Sequence, residues 1–100
     1  MTAVAEKLRE ARALIERGWT QGVFARLPNG NGTYAENRKA TCFCMVGALY
    51  HVGASARCLR MLERATHTSP AAKWNDAPER TQADVLAAFD KAIALAEGRV

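Results

Sequence analysis

Three cysteines, two histidines, one polar-aromatic cluster and one arginine stripe are the residues of this chain that could do chemistry. Cys42 and Cys44 stand two apart, with His51 and His67 downstream. On a helix, residues two apart point about 200° away from each other, so the pair cannot chelate one ion there. On a strand it could, but a C-x-C with two scattered histidines and no second cysteine pair is not a zinc spacing. No metal and no other cofactor is expected. A nucleophilic Cys44 needs a base within about 3 Å. His51 would lie roughly 10 Å further along a helix axis, which leaves only His67. Buried, inert thiols are the ordinary state of cysteine in an apolar segment, so no catalytic residue is assigned, and a cysteine-dependent activity stays as an alternative.

Trp74-Asn75-Asp76, followed by Arg80, is the one polar cluster that looks placed. Asn and Asp favour helix starts and side-chain-to-backbone turns, and that structural role is the preferred reading. The functional alternative sets Trp74, Asn75, Asp76 and Arg80 around a small polar ligand at a helix N-terminus. Arg57, Arg60 and Arg64 fall at i, i+3 and i+7, on one side of a helix, where they could face an acidic partner.

The elements that must position these groups are organised around residues 40–56, which contain no charged side chain. A helix that is apolar all round is either the buried member of a bundle or a membrane span. A span needs about 20 predominantly apolar residues, and this shorter run includes Thr41, His51 and Ser55, so no membrane is expected. At helical spacing Ala40, Cys44, Gly47, Ala48 and His51 form a seam of mainly small side chains that a neighbouring helix can approach closely. Phe43, Val46 and Tyr50 form a bulkier face.

Earlier in the chain, Thr2 caps a helix over 2–17 whose apolar stripe is Val4, Leu8, Ala11 and Ile15. Gly18 is expected to stop it in a left-handed conformation, with Trp19 packed back on Leu14. Residues 19–27 read as a short helix or an extended turn anchored by Val23, Phe24 and Leu27. Residues 28–39 hold two Asn-Gly pairs, each a source of positive φ, and can form a short hairpin. The sequon Asn31-Gly32-Thr33 would go unused in a cytoplasmic protein. After the break at Gly53-Ala54, Ser55 caps a helix over 55–66, and residues 67–73 read as a connector. Asp76 with Glu79, and Thr81 with Asp84, are overlapping capping-box pairs that open a last helix over 77–97.

A chain of 100 residues is one domain, 1–100, and with 49% hydrophobic and 24% charged residues it has globular rather than disordered composition. The N-terminus lacks the apolar core of a signal peptide. An odd number of cysteines fits a reducing compartment, so a cytoplasmic location is expected. The net charge of +4 is unevenly placed: residues 17–75 carry eight bases against Glu36 and Glu63 alone. That imbalance points to an acidic partner. One version is DNA, because Ala48, Val52, Ala54, Leu59 and Leu62, with Gly53 at the turn, match places of a helix-turn-helix that would aim Arg57, Arg60 and Arg64 at the groove. Leu49 stands where that motif has a small residue, and the preceding helix is very apolar to cross a DNA backbone.

Gly18-Trp19-Thr20-Gln21-Gly22, Cys44-Met45-Val46-Gly47-Ala48-Leu49, Trp74-Asn75-Asp76 and Arg80-Thr81 with the helix that follows together resemble an uncharacterised family of small bacterial and phage proteins. The likeness spans nearly the whole chain and implies an intact domain, but carries over no catalytic or binding role. The expectation is an all-α, compact bundle of about four helices, over 2–17, 40–52, 55–66 and 77–97, with the second at its centre. The expected function is a small, basic, non-enzymatic interaction or regulatory module that binds an acidic protein surface or a second copy of itself. DNA binding is the alternative.

Overall fold

Thr2 does cap the first helix. Its Oγ1 accepts a hydrogen bond from Ala5 N at 3.0 Å, and α1 runs Ala3–Arg17 with Ala5, Leu8, Ala11 and Ile15 buried one turn apart. This is how an amphipathic period becomes a packed face. The computed structural model describes residues 2–99. The remaining elements are β1 (Ala25–Arg26), β2 (Gly32–Thr33), β3 (Cys42–Phe43), α2 (Met45–His51), α3 (Ala56–Thr66), α4 (Ala71–Asn75) and α5 (Gln82–Ala96). α5 begins with a complete capping box in which Thr81 and Asp84 exchange side-chain-to-backbone bonds. Its buried face is Val85, Ala88, Phe89, Ala92 and Ile93.

The core lies where α1 and α3 pack on α5, with Leu8, Ile15, Leu62, Val85 and Phe89 fully covered. Burying each such side chain is worth about 1.5–3 kcal/mol. On the outside of that contact Arg12 reaches Asp90 at 2.7 Å and Arg9 reaches Glu97 at 2.7 Å. The Arg9 bond, with Arg99 beside it, holds the Glu97 carboxyl below its ordinary range. Its stabilising contribution is therefore present above that range and is lost as the pH falls through the lowered value. At the surface such pairs contribute little.

The fold is mostly helical rather than all-α, since a small antiparallel sheet of order β2-β1-β3 covers one end. Ala25 pairs with both Thr33 and Phe43, and Arg26 with both Gly32 and Cys42. The hairpin expected near 28–39 forms between β1 and β2, around Asn29-Gly30. There Gly30 takes φ +89° and Asn29 Oδ1 accepts from Asn31 N. The second Asn-Gly pair supplies no positive φ, because Gly32 lies within β2.

The helix expected over 40–52 starts only at Met45. Residues 42 and 43 are in β3, and Cys44 is the N-cap, its Sγ accepting from Gly47 N at 3.2 Å. Met45–Leu49 are all buried, as an all-apolar helix requires. However, α2 is short, and the centre of the domain belongs to α1, which packs on α5, α2, α3 and β3. The connector contains an unexpected helix, α4, and the last helix starts at Gln82 rather than 77 because Asp76 ends α4. Gly18 is extended, at φ −175°, not left-handed. What it needs is space, for a Cβ there would strike the Thr41 carbonyl and the Cys42 Sγ. Trp19 pairs with Phe43 in a parallel bridge. Of the anchors expected after it, Phe24 is exposed and Ala25 is buried instead.

At Gly47 the small-residue seam meets the Phe24 carbonyl rather than a helix: that oxygen accepts from Cys44 N at 3.1 Å, and a Cβ on Gly47 would overlap it and its carbon. Gly47→Ala should therefore destabilise the domain by about 1–3 kcal/mol, and Gly47→Leu by more. At about 4–8 °C per kcal/mol for a domain this size, a thermal melt reads the difference directly, and an unchanged melting temperature would contradict the close approach.

Candidate functional site

Asn75, the last residue of α4, is fully buried, and its side-chain amide makes four hydrogen bonds. Oδ1 accepts from the Trp19 indole Nε1 at 2.8 Å and from Met45 N at 3.1 Å. Nδ2 donates to Thr20 O at 3.2 Å and to Asp76 Oδ1 at 2.9 Å. That is the whole capacity of an amide side chain. Asp76 Oδ1 also accepts from Gly22 N, and Gln21 Nε2 donates to the carbonyls of Asn75 and Ala77, both at 2.9 Å. Residues 19–22 are thereby tied to residues 75–77 and to the first turn of α2.

Arg80 belongs to the same cluster by a different route. Its guanidinium lies 3.8 Å from the Trp74 ring centroid while Nε donates to Trp74 O at 2.9 Å. A cation over an indole contributes about 0.5–1 kcal/mol at a partly exposed site. Trp74, Asn75, Asp76 and Arg80 are brought together as the sequence grouping suggests, but at the C-terminal end of α4, not at the N-terminus of a helix.

Beside this cluster a cleft of about 430 Å³ is lined by Val23, Phe24, Thr33, Cys44, Ala72 and Asp76 among others. Among the described residues Cys44 is the one sulfur on it. Burial, and to a smaller extent the Asp76 carboxylate, push its thiol above the usual range, against the lowering effect of backbone hydrogen bonds at the start of α2. A thiol kept protonated is a poor nucleophile. His67 caps the end of α3 and His51 bonds to Ala35 O at 2.7 Å, and neither lines this cleft. All three cysteines are free, and among the described residues no three of His, Cys, Asp and Glu converge closely enough to hold a metal ion.

Arg57, Arg60 and Arg64 lie exposed on α3. Among the described residues none of them has an ion pair or hydrogen-bond partner. Glu63, the acid on the same helix, accepts from Ser69 Oγ at 3.2 Å and from Ala71 N at 3.1 Å, doing for α4 the capping that Pro70 cannot. Arg57 and Arg60 rim a groove of about 420 Å³ with Val4, Met61, Leu95 and Ala96 on its walls. No hydrogen bond or ion pair joins this stripe to the Trp74–Arg80 cluster among the described residues, and the two line different clefts, so the candidate binding residues form two separate groups.

The sequence profile of DUF6197, a family of unknown function, matches residues 1–95. The chain belongs to DUF6197. No curated protein and no solved structure matches it. For this DUF6197 member the residues that the sequence reading missed are Trp19, Thr20, Gln21 and Gly22 as partners of Asn75 and Asp76. The available signal was an indole and a glutamine together in a short segment between two glycines, polar groups that need partners once covered.

Replacing the buried amide tests whether this cluster holds the DUF6197 fold together. Asn75→Ala leaves the Trp19 indole and Met45 N–H without their acceptor, at about 1–3 kcal/mol for each unsatisfied group. Arg80→Ala removes one ring contact and one partly exposed hydrogen bond and should cost less, about 1–2 kcal/mol. Chemical denaturation of the two variants should rank them in that order, and equal midpoints would remove Asn75 from its central position. In the native state Cys42, half-buried, should react with a thiol reagent well before Cys44 at neutral pH. Preferential labelling of Cys44 would revive a nucleophilic role.

Proposed function

We propose that this protein is a non-enzymatic binding module whose α3 face docks an acidic protein segment. The observation that carries the reading is the set of three exposed arginines without a carboxylate partner among the described residues, two of them on the rim of an apolar-walled groove. An exposed guanidinium presents a planar fork of donors that matches a carboxylate, and the groove gives an apolar side chain somewhere to go. The charge distribution supports it, since the acids nearest in sequence are committed elsewhere, Glu63 to the start of α4 and Asp76 to Gly22 and Asn75. The non-enzymatic part rests on Cys44, whose sulfur serves as a helix cap with a raised pKa.

Double-stranded DNA is a less suitable occupant for this face. α2 is seven residues long and its first five are buried, which leaves little surface to lay across a DNA backbone ahead of a recognition helix. An apolar groove between arginines also suits a side chain better than a phosphate chain.

Fluorescence anisotropy with a labelled Glu-rich peptide carrying one central Leu tests the proposal. The peptide should bind at low salt, at least tenfold more weakly after Arg57, Arg60 and Arg64 are all changed to Gln, and more weakly when its Leu is replaced by Ala. Helical content should stay unchanged. Tighter binding of a DNA duplex, with a log–log salt slope of about −0.9 per phosphate neutralised that flattens in the triple variant, would favour the helix-turn-helix reading. No difference between the triple variant and the parent with either probe would leave the stripe as solvated surface.

A further inference from the structure

A separate cleft of about 310 Å³ opens at the C-terminal end of α1. Leu14, Ala40 and Phe43 give it apolar walls, and Arg17, Arg38, Thr41 and His51 give it polar ones. The basic groups come from three different segments, the last turn of α1, the loop ahead of β3 and the last turn of α2. Among the described residues no acid lines the cleft. Among the described residues neither Arg17 nor Arg38 has an ion pair or a hydrogen-bond partner for its side chain. Two guanidiniums gathered on one concave surface, with no counter-charge on it among the described residues, raise the local positive potential, and a concave site focuses it.

His51 is held in place from behind. Its Nδ1 lies 2.7 Å from Ala35 O, and because a carbonyl can only accept, Nδ1 carries the hydrogen. The ring also meets Phe43 edge-on, with centroids 4.8 Å apart. Nε2, on the opposite edge of the ring, has no protein partner among the described residues. Such an orienting bond to a backbone carbonyl fixes which nitrogen is offered outward. The Thr41 hydroxyl adds a further donor, since its residue is anchored through the backbone bond Thr41 N to Arg26 O at 2.9 Å.

We propose that this cleft binds a small organic phosphate. The phosphoryl oxygens lie between the guanidiniums of Arg17 and Arg38, with the Thr41 hydroxyl as third donor, and the organic part rests on Leu14, Ala40 and Phe43. A carboxylate has two oxygens and is satisfied by one guanidinium fork, whereas a tetrahedral phosphate has three non-bridging oxygens and can use both forks and a hydroxyl. His51 Nε2, an acceptor while the ring is neutral, receives the O–H of a monoprotonated phosphate ester. The volume is at the lower end of small-molecule sites, which fits a single aromatic or short aliphatic group beyond the phosphate. The proposal is independent of the α3 reading and uses none of its residues.

Phenyl phosphate is the probe. Titrated at constant ionic strength, it should bind one-to-one and saturate, with amide chemical-shift changes centred on residues 17, 38–43 and 51. Inorganic phosphate should bind several-fold more weakly, and phenol not measurably. Arg17→Gln and Arg38→Gln should each weaken phenyl phosphate about tenfold, the scale of one charged hydrogen-bonding partner. Neither substitution removes a side-chain bond among the described residues, so helical content should be unchanged. Changing Arg57, Arg60 and Arg64 to Gln should leave this binding as it was. Absence of saturation, full retention in the Arg17→Gln/Arg38→Gln double variant, or loss in the α3 triple variant would overturn the proposal. Should a variant lose helical content, the shift map of the unaltered protein decides: changes centred on α3 or spread evenly over the surface overturn it.

Discussion

A primary amide at zero exposure must find four partners or destabilise the fold, and in this molecule those partners are what fix the loops relative to the helices. Asn75 has an indole, two backbone groups and a carboxylate around it. Each unmet bond in such a site costs about as much as burying a methylene or two gains. Residues 19–22, the start of α2 and the end of α4 therefore have one mutually compatible arrangement. The cleft beside Cys44 and the placement of β3 against residues 18–20 depend on it.

Backbone oxygens close to glycines complete the same framework. The Phe24 carbonyl lies over the first turn of α2 at Gly47, and the Thr41 carbonyl lies against Gly18. Both approaches replace side-chain packing with direct main-chain contact, which lets a three-stranded sheet of two-residue strands sit against helices at all. Charge is then sorted by this framework. Asp90 and Glu97 pair with arginines of α1, Glu63 caps α4, and Asp76 holds Gly22. Among the bases without a side-chain partner in the described residues, Arg17 and Arg38 stand at one cleft and Arg57 and Arg60 at another, with Arg64 further along α3.

The helical skeleton was legible because its signals were local. The stripe of α1, the capping box at Thr81 and Asp84, and the spacing of Val85, Phe89, Ala92 and Ile93 are all readable within one helix, and they lie where that spacing puts them. The start of α2 was not, because an uninterrupted apolar run hides the change from strand to helix, and Cys44 is not among the residues usually found at an N-cap. β3 is two residues long and exists through pairing with β1, a contact between distant parts of the chain. The Trp74–Asp76 grouping was visible as a cluster, but its meaning depended on Trp19 and Gln21, fifty-odd residues away. The cleft at Arg17, Arg38 and His51 joins three segments and has no sequence motif of its own.

The dependence on Asn75 also sets an order in time. When a ribosome has delivered residues 1–70, the Trp19 indole and the Met45 amide have no acceptor, and the apolar surface that α5 later covers is open to water. Loop closure over such distances is entropically costly and late. Residues 19–45 cannot make these two bonds until the α4 segment has emerged, so that part of the geometry is completed from the C-terminal side of the chain.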